Sequence, residues 1–368
     1  YFNDRFFSRT TLVKARNWVR LNCLQISAAP SVLVGKNGWF YFLGEANIIL
    51  SPRDDAYTPQ ELNQWKESLA ARTKYLASRG IKYVFVVAPN KQSVYPEFLP
   101  KRQPGKTRYD ELRDFLKNSP EISFVDLKDA LLEGKKESVV PGNMFHKTDT
   151  HWNELGAFIA DRYLSAKLST VFPGIQPLAM SQFNFQKVKY QEGDCPKLMG
   201  LYGWIKESAP KFSALSSEPA LKFNQGNDLT REISTLSISN KASDTDTNKD
   251  KDNDTGTDTK MNSKMNSDFC TNNKSLRLPK ALVFHDSFGD NLKPFLARHF
   301  SETVFQKRPA DVSLDLDLIE KEKPDIVIQE IVERHAVQLM AFPPHDWRHE
   351  FCDAIALENK QHPHSASS

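Results

Sequence analysis

The sequence has little of what metalloproteins, membrane-spanning proteins and nucleic-acid-binding proteins need. Only four cysteines occur in 368 residues, with no CxxC pair and no histidine at zinc-ligand spacing, so we expect no metal site. The longest apolar runs are far shorter than the roughly 18 residues that cross a bilayer. The net charge is only +3 and no Lys/Arg stripe is present, so nucleic-acid binding has no support.

The scarce cysteines leave the redox state of the protein open. They are Cys23, Cys195, Cys270 and Cys352. Their even number permits two disulfides in an oxidising compartment and equally permits four buried thiols. Cysteine spacing does not choose between these two states.

The overall composition is that of a soluble globular protein, with 39% hydrophobic and 26% charged residues. Residues 237–275 depart from it, because they are almost all Asp, Asn, Thr, Ser and Lys. Such a segment buries too little apolar surface to offset its ordering entropy, so we predict a disordered surface insertion. The alternative is a cation-binding acidic loop, but the interspersed lysines and irregular Asp spacing argue against an EF-hand type loop.

Short apolar strands alternate with helical patterns on both sides of this insertion. The run IKYVFVVA at residues 81–88 is typical of a strand buried on both faces. Four more strands are predicted at residues 122–127, 281–285, 303–306 and 325–329. Helices are predicted from a capping box at residues 58–61 to a glycine stop at 80, and near residues 109–117, 153–168, 290–299 and 312–322. This alternation predicts a three-layer α/β fold around a mostly parallel five-stranded sheet.

A serine follows one of the predicted strands. The segment VFHDSFGDNLKPF runs from apolar residues through Ser287 and Gly289 into a helix. A serine on such a strand-to-helix turn is exposed at the sheet edge, where ligands of parallel sheets bind. Its backbone N–H, near a helix N-terminus, can face a developing oxyanion. The alternative is that Ser287 only caps the helix.

A histidine and an aspartate precede another predicted helix. Asp149 and His151 are two residues apart in HKTDTHWN, and side chains at this spacing share one face of extended backbone. Imidazole can remove the proton of a serine hydroxyl when a carboxylate fixes its tautomer. The alternative is a helix cap with a partly buried histidine.

Polar side chains also follow the strand at residues 81–88. Asn90 and Lys91 come directly after it, and Tyr95 lies in the same segment. Asn90 is a candidate oxyanion donor, and Lys91 is a candidate for binding an acidic substrate. Tyr95 is a candidate substrate-binding or oxyanion residue. The alternative is an ordinary surface turn.

Taken together, these motifs resemble the alginate O-acetyltransferase family typified by AlgJ and AlgX. The matching segments follow one another along most of the chain outside the insertion. They are YFNDRFFSRTTLV, VGKNGWFYF, VVAPNKQSVYPEFLP, TDTHWNELGA, HDSFGDNL and PDIVIQEIVER. The resemblance implies a hydrolase-like fold of the SGNH class with a permuted order of active-site motifs.

The resemblance also implies which residues carry the chemistry. Asp149 and His151 match the family's Asp-x-His pair, and Ser287 matches its catalytic serine. The family's serine motif commonly has glycine where this chain has His285. We therefore expect the side chain of His285 either to narrow the approach to the serine or to supply another hydrogen-bond donor.

The domain organisation implied by the resemblance has one catalytic domain. We expect an N-terminal segment at residues 1–50, the catalytic domain at 51–345 with the insertion at 237–275, and a tail at 346–368. The chain looks closer to AlgJ than to AlgX, because little of it follows the last strand and an extra carbohydrate-binding module would not fit. The first residue is Tyr1 rather than Met, so a signal peptide or membrane anchor is expected upstream.

The function implied is transfer of acetyl groups to hydroxyls of an exported, alginate-like polysaccharide through an acyl-serine. The resemblance implies no metal or organic cofactor, a periplasmic protein tethered to the inner membrane, and a membrane O-acyltransferase as the source of acyl groups. One alternative is a carbohydrate acetylesterase with the same three residues. Another is a non-catalytic polysaccharide-binding protein.

Overall fold

The computed structural model gives the architecture of most of the chain. It describes residues 9–43, 57–101, 106–136, 142–215, 220–225, 231–237, 277–308 and 313–336. Ser237, where the insertion is predicted to begin, belongs to a strand, which corrects that bound. The rest of the predicted insertion, to residue 275, and the predicted tail at 346–368 lie outside the described residues.

Helices and strands alternate through the described chain. The helices are α1 (Arg9–Leu24), α2 (Pro59–Ser78), α3 (Lys91–Val94), α4 (Arg108–Lys117), α5 (Lys128–Lys136), α6 (Glu154–Leu168), α7 (Asp194–Leu198), α8 (Gly289–Leu296) and α9 (Leu316–Glu322). The strands are β1 (Val32–Val34), β2 (Phe40–Phe42), β3 (Lys82–Ala88), β4 (Phe124–Asp126), β5 (Phe183–Tyr190), β6 (Glu207–Ala214), β7 (Ala220–Gln225), β8 (Arg231–Ser237), β9 (Lys280–His285), β10 (Glu302–Lys307) and β11 (Ile326–Val332). Short three-ten helices occur between them.

A seven-stranded sheet forms the centre of the molecule, in the order β4-β3-β11-β9-β10-β8-β7. The first five strands of this order are parallel and are the five that the sequence predicts. The expected number of strands is wrong, because β7 and β8 extend the sheet as an antiparallel pair beside β10. Their sequences, ALKFNQ and REISTLS, mix polar and apolar residues and lack the continuous apolar runs that reveal the central strands.

Both faces of the parallel strands are covered, which gives the three predicted layers. Alternate residues of β3 point to opposite faces, so Val86 joins one apolar cluster and Phe85 the other. On the first face, Phe158 of α6 packs against Phe295 of α8 with ring centroids 5.6 Å apart. On the second face, Trp65 of α2 lies 6.2 Å from the ring of Phe85. This packing on both faces holds the five parallel strands side by side, and their carboxyl ends lie at one edge of the sheet.

Local signals begin several helices where the sequence predicts them. Thr58 accepts a hydrogen bond from Glu61 N, and the Glu61 side chain accepts one from Thr58 N, which completes the predicted capping box. The helix predicted at residues 312–322 begins later, because Asp315 caps it by accepting a hydrogen bond from Leu318 N. The helix predicted at 290–299 ends in a three-ten turn at Ala297–His299.

Two antiparallel hairpins lie outside the main sheet: β1 pairs with β2 and β5 with β6. Cys23 is exposed, Cys195 is buried, and both are free thiols, whereas Cys270 and Cys352 lie outside the described residues. Among the described residues, no helix combines the length and the apolar character that a bilayer crossing requires.

Residues 238–275 are expected to be dispensable for folding. Replacing them with a short Gly/Ser linker from Ser237 to the segment before β9 should change the unfolding free energy by about 1 kcal/mol or less, since loop-closure entropy depends weakly on loop length. Thermal denaturation checks this. Deleting β8 is the contrasting variant, and it should lower the melting temperature because β8 pairs with β10. An equal loss for both variants would contradict the prediction.

Candidate active site

Ser287 lies in the turn between β9 and α8, and its side chain is half-buried. The turn is held by Asp286, whose carboxylate accepts hydrogen bonds from Phe288 N at 2.8 Å and from Val332 N of the neighbouring strand at 2.7 Å. The helix begins at Gly289, and the capping position belongs to Phe288. The helix-cap alternative for Ser287 is therefore wrong.

Asp149 and His151 lie in a loop whose ends are fastened together. An isolated bridge joins Phe145 to Trp152, and His146 N donates to His151 O at 3.3 Å. Asn153, which follows this loop, caps α6 by accepting hydrogen bonds from the backbone of its first turn. The capping role considered for the Asp149 and His151 segment thus belongs to Asn153.

The structure brings the three predicted side chains together at the edge of the sheet. His151 Nδ1 lies 2.6 Å from Asp149 Oδ1, and His151 Nε2 lies 2.8 Å from Ser287 Oγ. Both distances fall within hydrogen-bond reach. Because an ionised carboxylate only accepts, Nδ1–H donates to Asp149, which leaves Nε2 to accept the hydroxyl proton of Ser287. The His151 ring packs beside Phe288, 4.9 Å between centroids.

The loop and the serine turn are also joined directly. Trp152 Nε1 donates to Phe288 O at 2.9 Å, and Asn291 Nδ2 donates to Trp152 O at 2.8 Å. Trp152 is fully buried. Trp152 directly follows His151, and Phe288 and Asn291 lie just after Ser287 in the chain. The two bonds therefore fix the imidazole of His151 relative to the hydroxyl of Ser287.

Asp149 is fixed by more than the imidazole. Its second carboxylate oxygen accepts hydrogen bonds from Tyr190 OH at 2.9 Å and Asp194 N at 3.0 Å. Burial works to raise the pKa of Asp149, but the hydrogen bond and charge of His151 outweigh it, so this pKa lies below its usual range. Burial, and then the nearby Asp149, raise the pKa of Tyr190, which stays a hydrogen-bond donor. The carboxylate is thus ionised and fully bonded.

Tyr190 and Asp194 were missed by sequence reasoning. Tyr190 ends β5 and Asp194 begins α7, and no local motif connects either of them to Asp149. Asp194 also accepts from Thr150 N at 2.9 Å and from the Thr150 hydroxyl. Gly193 permits this approach, because a Cβ there would lie 2.5 Å from Thr148 O. That glycine is a local signal of a close contact with the loop.

Asp149, His151 and Asp194 are the residues of the site that could approach a cation together. One ligand atom from each lies within 4.8 Å of the others. However, Asp149 Oδ1 and His151 Nδ1 are already joined by their short hydrogen bond, and Asp194 is bonded to Thr150. A cation would have to replace these bonds, so the arrangement suits a shared proton better than a metal.

Lys91 does not face a substrate, which corrects its predicted role. Its ammonium group is buried and donates to three backbone carbonyls, those of His146 at 3.0 Å, Lys147 at 3.1 Å and Asp149 at 2.7 Å. Burial lowers the pKa of Lys91 below its ordinary value, against the opposing effect of nearby acidic groups. Lys91 therefore stabilises the loop that carries Asp149 through hydrogen bonds to three of its backbone carbonyls.

Tyr95 is also part of the support rather than of the surface. It is buried beside Trp39, with ring centroids 4.6 Å apart, and its hydroxyl accepts a hydrogen bond from Met144 N at 2.9 Å. Its predicted substrate contact is wrong, since the ring fills the core under the loop. Asn90 is different: its Nδ2 is buried and has no partner among the described residues, while its Oδ1 accepts from Arg334 Nη1 at 3.2 Å.

His285 lies behind the serine turn and not in front of it. Its side chain is 1% exposed, and Nδ1 donates to Asp286 O at 2.6 Å. A Cβ on Gly289 would lie 2.6 Å from the His285 ring, so glycine is required where α8 begins over this imidazole. The expectation that His285 narrows the approach to the serine or donates toward it is wrong, because packing turns the ring into the core.

His285 is expected to make the protein less stable in acid. Burial lowers the pKa of His285 from 6.5 to about 4. Between these values the unfolded chain binds a proton that the folded protein excludes, so stability falls as pH drops from 6.5 toward 4, by about 3 kcal/mol at most. Urea denaturation at several pH values should show this loss in the wild type and a flatter profile in His285→Leu.

A matched core variant separates titration from packing. Phe305→Leu alters the ring that faces His285 at 6.0 Å but keeps the imidazole. It should lower stability by a similar amount at every pH and keep the wild-type slope. A wild-type slope in His285→Leu would show that another group causes the acid loss.

Comparison with known proteins finds a matching family model and proteins of similar sequence. The family model described as SGNH hydrolase-like domain, acetyltransferase AlgX, matches residues 32–233, more than half of the chain. The match contains Asp149 and His151 and ends before Ser287. The chain is 30% identical over 143 residues to a protein of Pseudomonas aeruginosa named "Probable alginate O-acetylase AlgJ", covering 38% of this chain and 33% of that protein.

Other comparisons agree in family and fold. A protein of the same name from Pseudomonas syringae is 26% identical over 146 residues, covering 39% of this chain and 35% of that protein. The matched region thus spans about a third of the length of these curated relatives. The fold resembles Bacillus cereus PatB1 carrying a sulfonyl adduct, with a TM-score of 0.53, 14% identity, and coverage of 83% of this chain and 97% of that one.

The family match covers the half of the chain in which the Asp-x-His loop, its bracing lysine and the first parallel strands lie. The remaining parallel strands complete the same three-layer fold around it. This chain therefore belongs to the family of SGNH hydrolase-like acetyltransferase domains typified by AlgX.

Proposed function

We propose that this protein transfers acetyl groups to hydroxyls of an exported, alginate-like polysaccharide through an acyl-serine intermediate on Ser287. The observation that carries the proposal is the hydrogen-bonded series from Asp149 through His151 to Ser287, in a chain of the SGNH-like acetyltransferase family. Such a series is the arrangement that activates a serine hydroxyl for acyl transfer.

The first half-reaction acylates the serine. Ser287 Oγ attacks the acyl carbonyl carbon while its proton passes to His151 Nε2, and the negative charge of the tetrahedral intermediate collects on the former carbonyl oxygen. His151 then gives this proton to the leaving group as the bond between the acyl carbon and the donor breaks. Asp149, kept ionised, stabilises the imidazolium that exists between these two steps.

Two groups are proposed as donors to the oxyanion. The backbone N–H of Ser287 lies at the start of the turn into α8, where the helix dipole favours negative charge. Asn90 lies between the end of β3 and the start of α3. Its amide nitrogen Nδ2 is buried and has no partner among the described residues. The second half-reaction reverses the first: His151 removes a proton from a sugar hydroxyl, which attacks the acyl-serine and releases Ser287.

The names of the relatives support alginate or a similar polymer as acceptor. A periplasmic location, a tether to the inner membrane and a membrane O-acyltransferase as acyl source belong to the same proposal.

Mass spectrometry after incubation with an activated acetyl ester tests the intermediate. The wild type should gain one acetyl group on Ser287, with the greatest accumulation when no sugar acceptor is present. Adding an alginate oligosaccharide should discharge the enzyme and acetylate the sugar. Acetylation of a different residue, or of Ser287→Ala at the wild-type rate, would overturn the proposal.

Hydrolysis of the acyl-serine is the second candidate reaction. The imidazole of His151 is 25% exposed, so water can reach the acyl-serine as well as a sugar hydroxyl can. Comparing acetate release with oligosaccharide acetylation distinguishes an esterase from a transferase. A non-catalytic polysaccharide-binding protein would fail to acylate Ser287 while still binding the oligosaccharide.

A further inference from the structure

A cavity of about 750 Å³ lies beside the loop that carries Asp149 and His151. It is bounded by α1, the β1–β2 hairpin and the β5–β6 hairpin. Lys147 and Thr148 of the loop form part of its wall, and the residues that line it do not include His151 or Ser287. Its volume falls in the range of ligand sites. We call it the lysine–tryptophan cavity, after Lys147, Lys187, Lys206, Trp18 and Trp204 in its lining.

The two tryptophans of this cavity remain open to solvent. Trp18 of α1 is 43% exposed, and Trp204, just before β6, is 42% exposed. Indole rings are large apolar surfaces, and two of them in one cavity form a place where an amphipathic ligand gains contact area. Sugar rings have apolar C–H faces that stack on such side chains, while their hydroxyls stay available for hydrogen bonds.

The side chains that line the lysine–tryptophan cavity carry a net positive charge, because lysines outnumber the acidic residue among them. Glu207 is the acidic residue in the lining, and its carboxylate accepts from Lys147 N at 2.8 Å, Thr148 N at 3.0 Å and Thr148 Oγ1 at 2.6 Å. Lys187 and Lys206 are exposed, and the hydrogen bonds of Glu207 go to Lys147 N and to Thr148 rather than to either of them. A ligand here would therefore meet lysine charge that Glu207 does not neutralise.

We propose that the lysine–tryptophan cavity binds a carboxylate-bearing segment of the acceptor polysaccharide, at a distance along the polymer from the sugar being modified. The tryptophans would stack on sugar rings and the lysines would pair with uronate carboxylates. Asn22, Gln25 and Asn143 also line the cavity and would bond hydroxyls. This inference rests on the proposed function, since it assigns a second contact to the same acceptor.

The cavity and the catalytic residues share one loop, which gives the second contact a purpose. Thr148 lines the cavity and directly precedes Asp149, and the loop is braced by Lys91 on another side. A polymer held in the cavity stays next to Ser287, so its other hydroxyls reach the acyl-serine at a high effective concentration. The cavity should affect acceptor binding and leave acylation of the serine unchanged.

Four variants and two ligands test the proposal. Lys206→Ala and Trp204→Ala alter the lysine–tryptophan cavity. Lys74→Ala, an exposed lysine on α2, and Tyr202→Ala, an exposed aromatic two residues from Trp204 but outside the lining, are the matched controls. Binding of an unacetylated alginate oligosaccharide and of a neutral cellulose-derived oligosaccharide is measured by calorimetry. Acylation by an activated acetyl ester is measured in the same proteins.

The two cavity variants should each weaken alginate binding about tenfold, and raise the KM for the oligosaccharide acceptor by a similar factor, with kcat little changed. The controls should stay within about twofold of the wild type. All four should form the acetyl-serine at the wild-type rate. If one cavity variant does not fold, Lys187→Ala on the exposed face of β5 replaces it.

The failures of the two proposals are distinguishable. A wild type that never acylates Ser287 refutes the proposed function. A wild type that acylates normally, together with cavity variants that bind alginate as tightly as the controls do, overturns the cavity proposal alone. Neutral oligosaccharide bound as tightly as alginate overturns the assignment of the lysines to carboxylates.

Discussion

Ser287→Ala is expected to lower acetyl transfer by at least about 10³-fold, because it removes the hydroxyl that contacts His151 Nε2. His151→Ala should cost nearly as much, since His151 Nε2 is the base in contact with Ser287 Oγ at 2.8 Å. Asp149→Ala should retain more activity than either, because Asp149 orients the imidazole and does not exchange the proton itself. Acetylation of an alginate oligosaccharide under single-turnover conditions measures all three.

The double variant tests whether the residues act as one unit. Ser287→Ala/His151→Ala should be little worse than either single variant, because removing one member already disables the step that the other serves. Additive losses would indicate two independent roles. Circular dichroism of every variant should show a wild-type fold, and a Ser287→Ala protein that still transfers acetyl groups at the wild-type rate would refute the serine mechanism.

Lys91→Met is expected to destabilise the protein by about 3 kcal/mol, because it leaves three buried carbonyls without their shared donor. One of these carbonyls belongs to Asp149, so the loop should lose its fixed geometry. We therefore expect acylation by a neutral acetyl ester to fall at least about tenfold. Urea denaturation and ester-dependent acylation measure the two effects.

Lys82→Met is the control for Lys91→Met, since Lys82 is an exposed lysine on β3, the strand that leads to Lys91. It should behave as the wild type in both measurements. The earlier interpretation of Lys91 as a substrate-binding residue makes the opposite prediction: normal stability, normal acylation by a neutral ester, and a raised KM for an anionic acceptor only. That pattern would contradict the bracing role.

Local sequence determined the central strands and the chemistry-bearing motifs. Residues 81–88 are apolar almost throughout, and only a strand buried on both faces of a sheet accommodates such a run. Asp149 and His151 are two residues apart, so their meeting needs only the shape of one loop. The pairing with Ser287 followed from the family resemblance and not from the order of strands, because the loop of Asp149 and His151 comes after α5 and not directly after a parallel strand.

Tertiary packing decided which polar side chains face a substrate and which support those that do. Lys91 and His285 look in the sequence like available polar groups, but Lys91 is buried against the loop at residues 146–149 and His285 lies under the start of α8. Tyr190 and Asp194 complete the contacts of Asp149 from the ends of other elements, with no shared motif. A side chain's exposure and hydrogen-bond partners depend on how separate elements pack, and a local pattern does not contain that information.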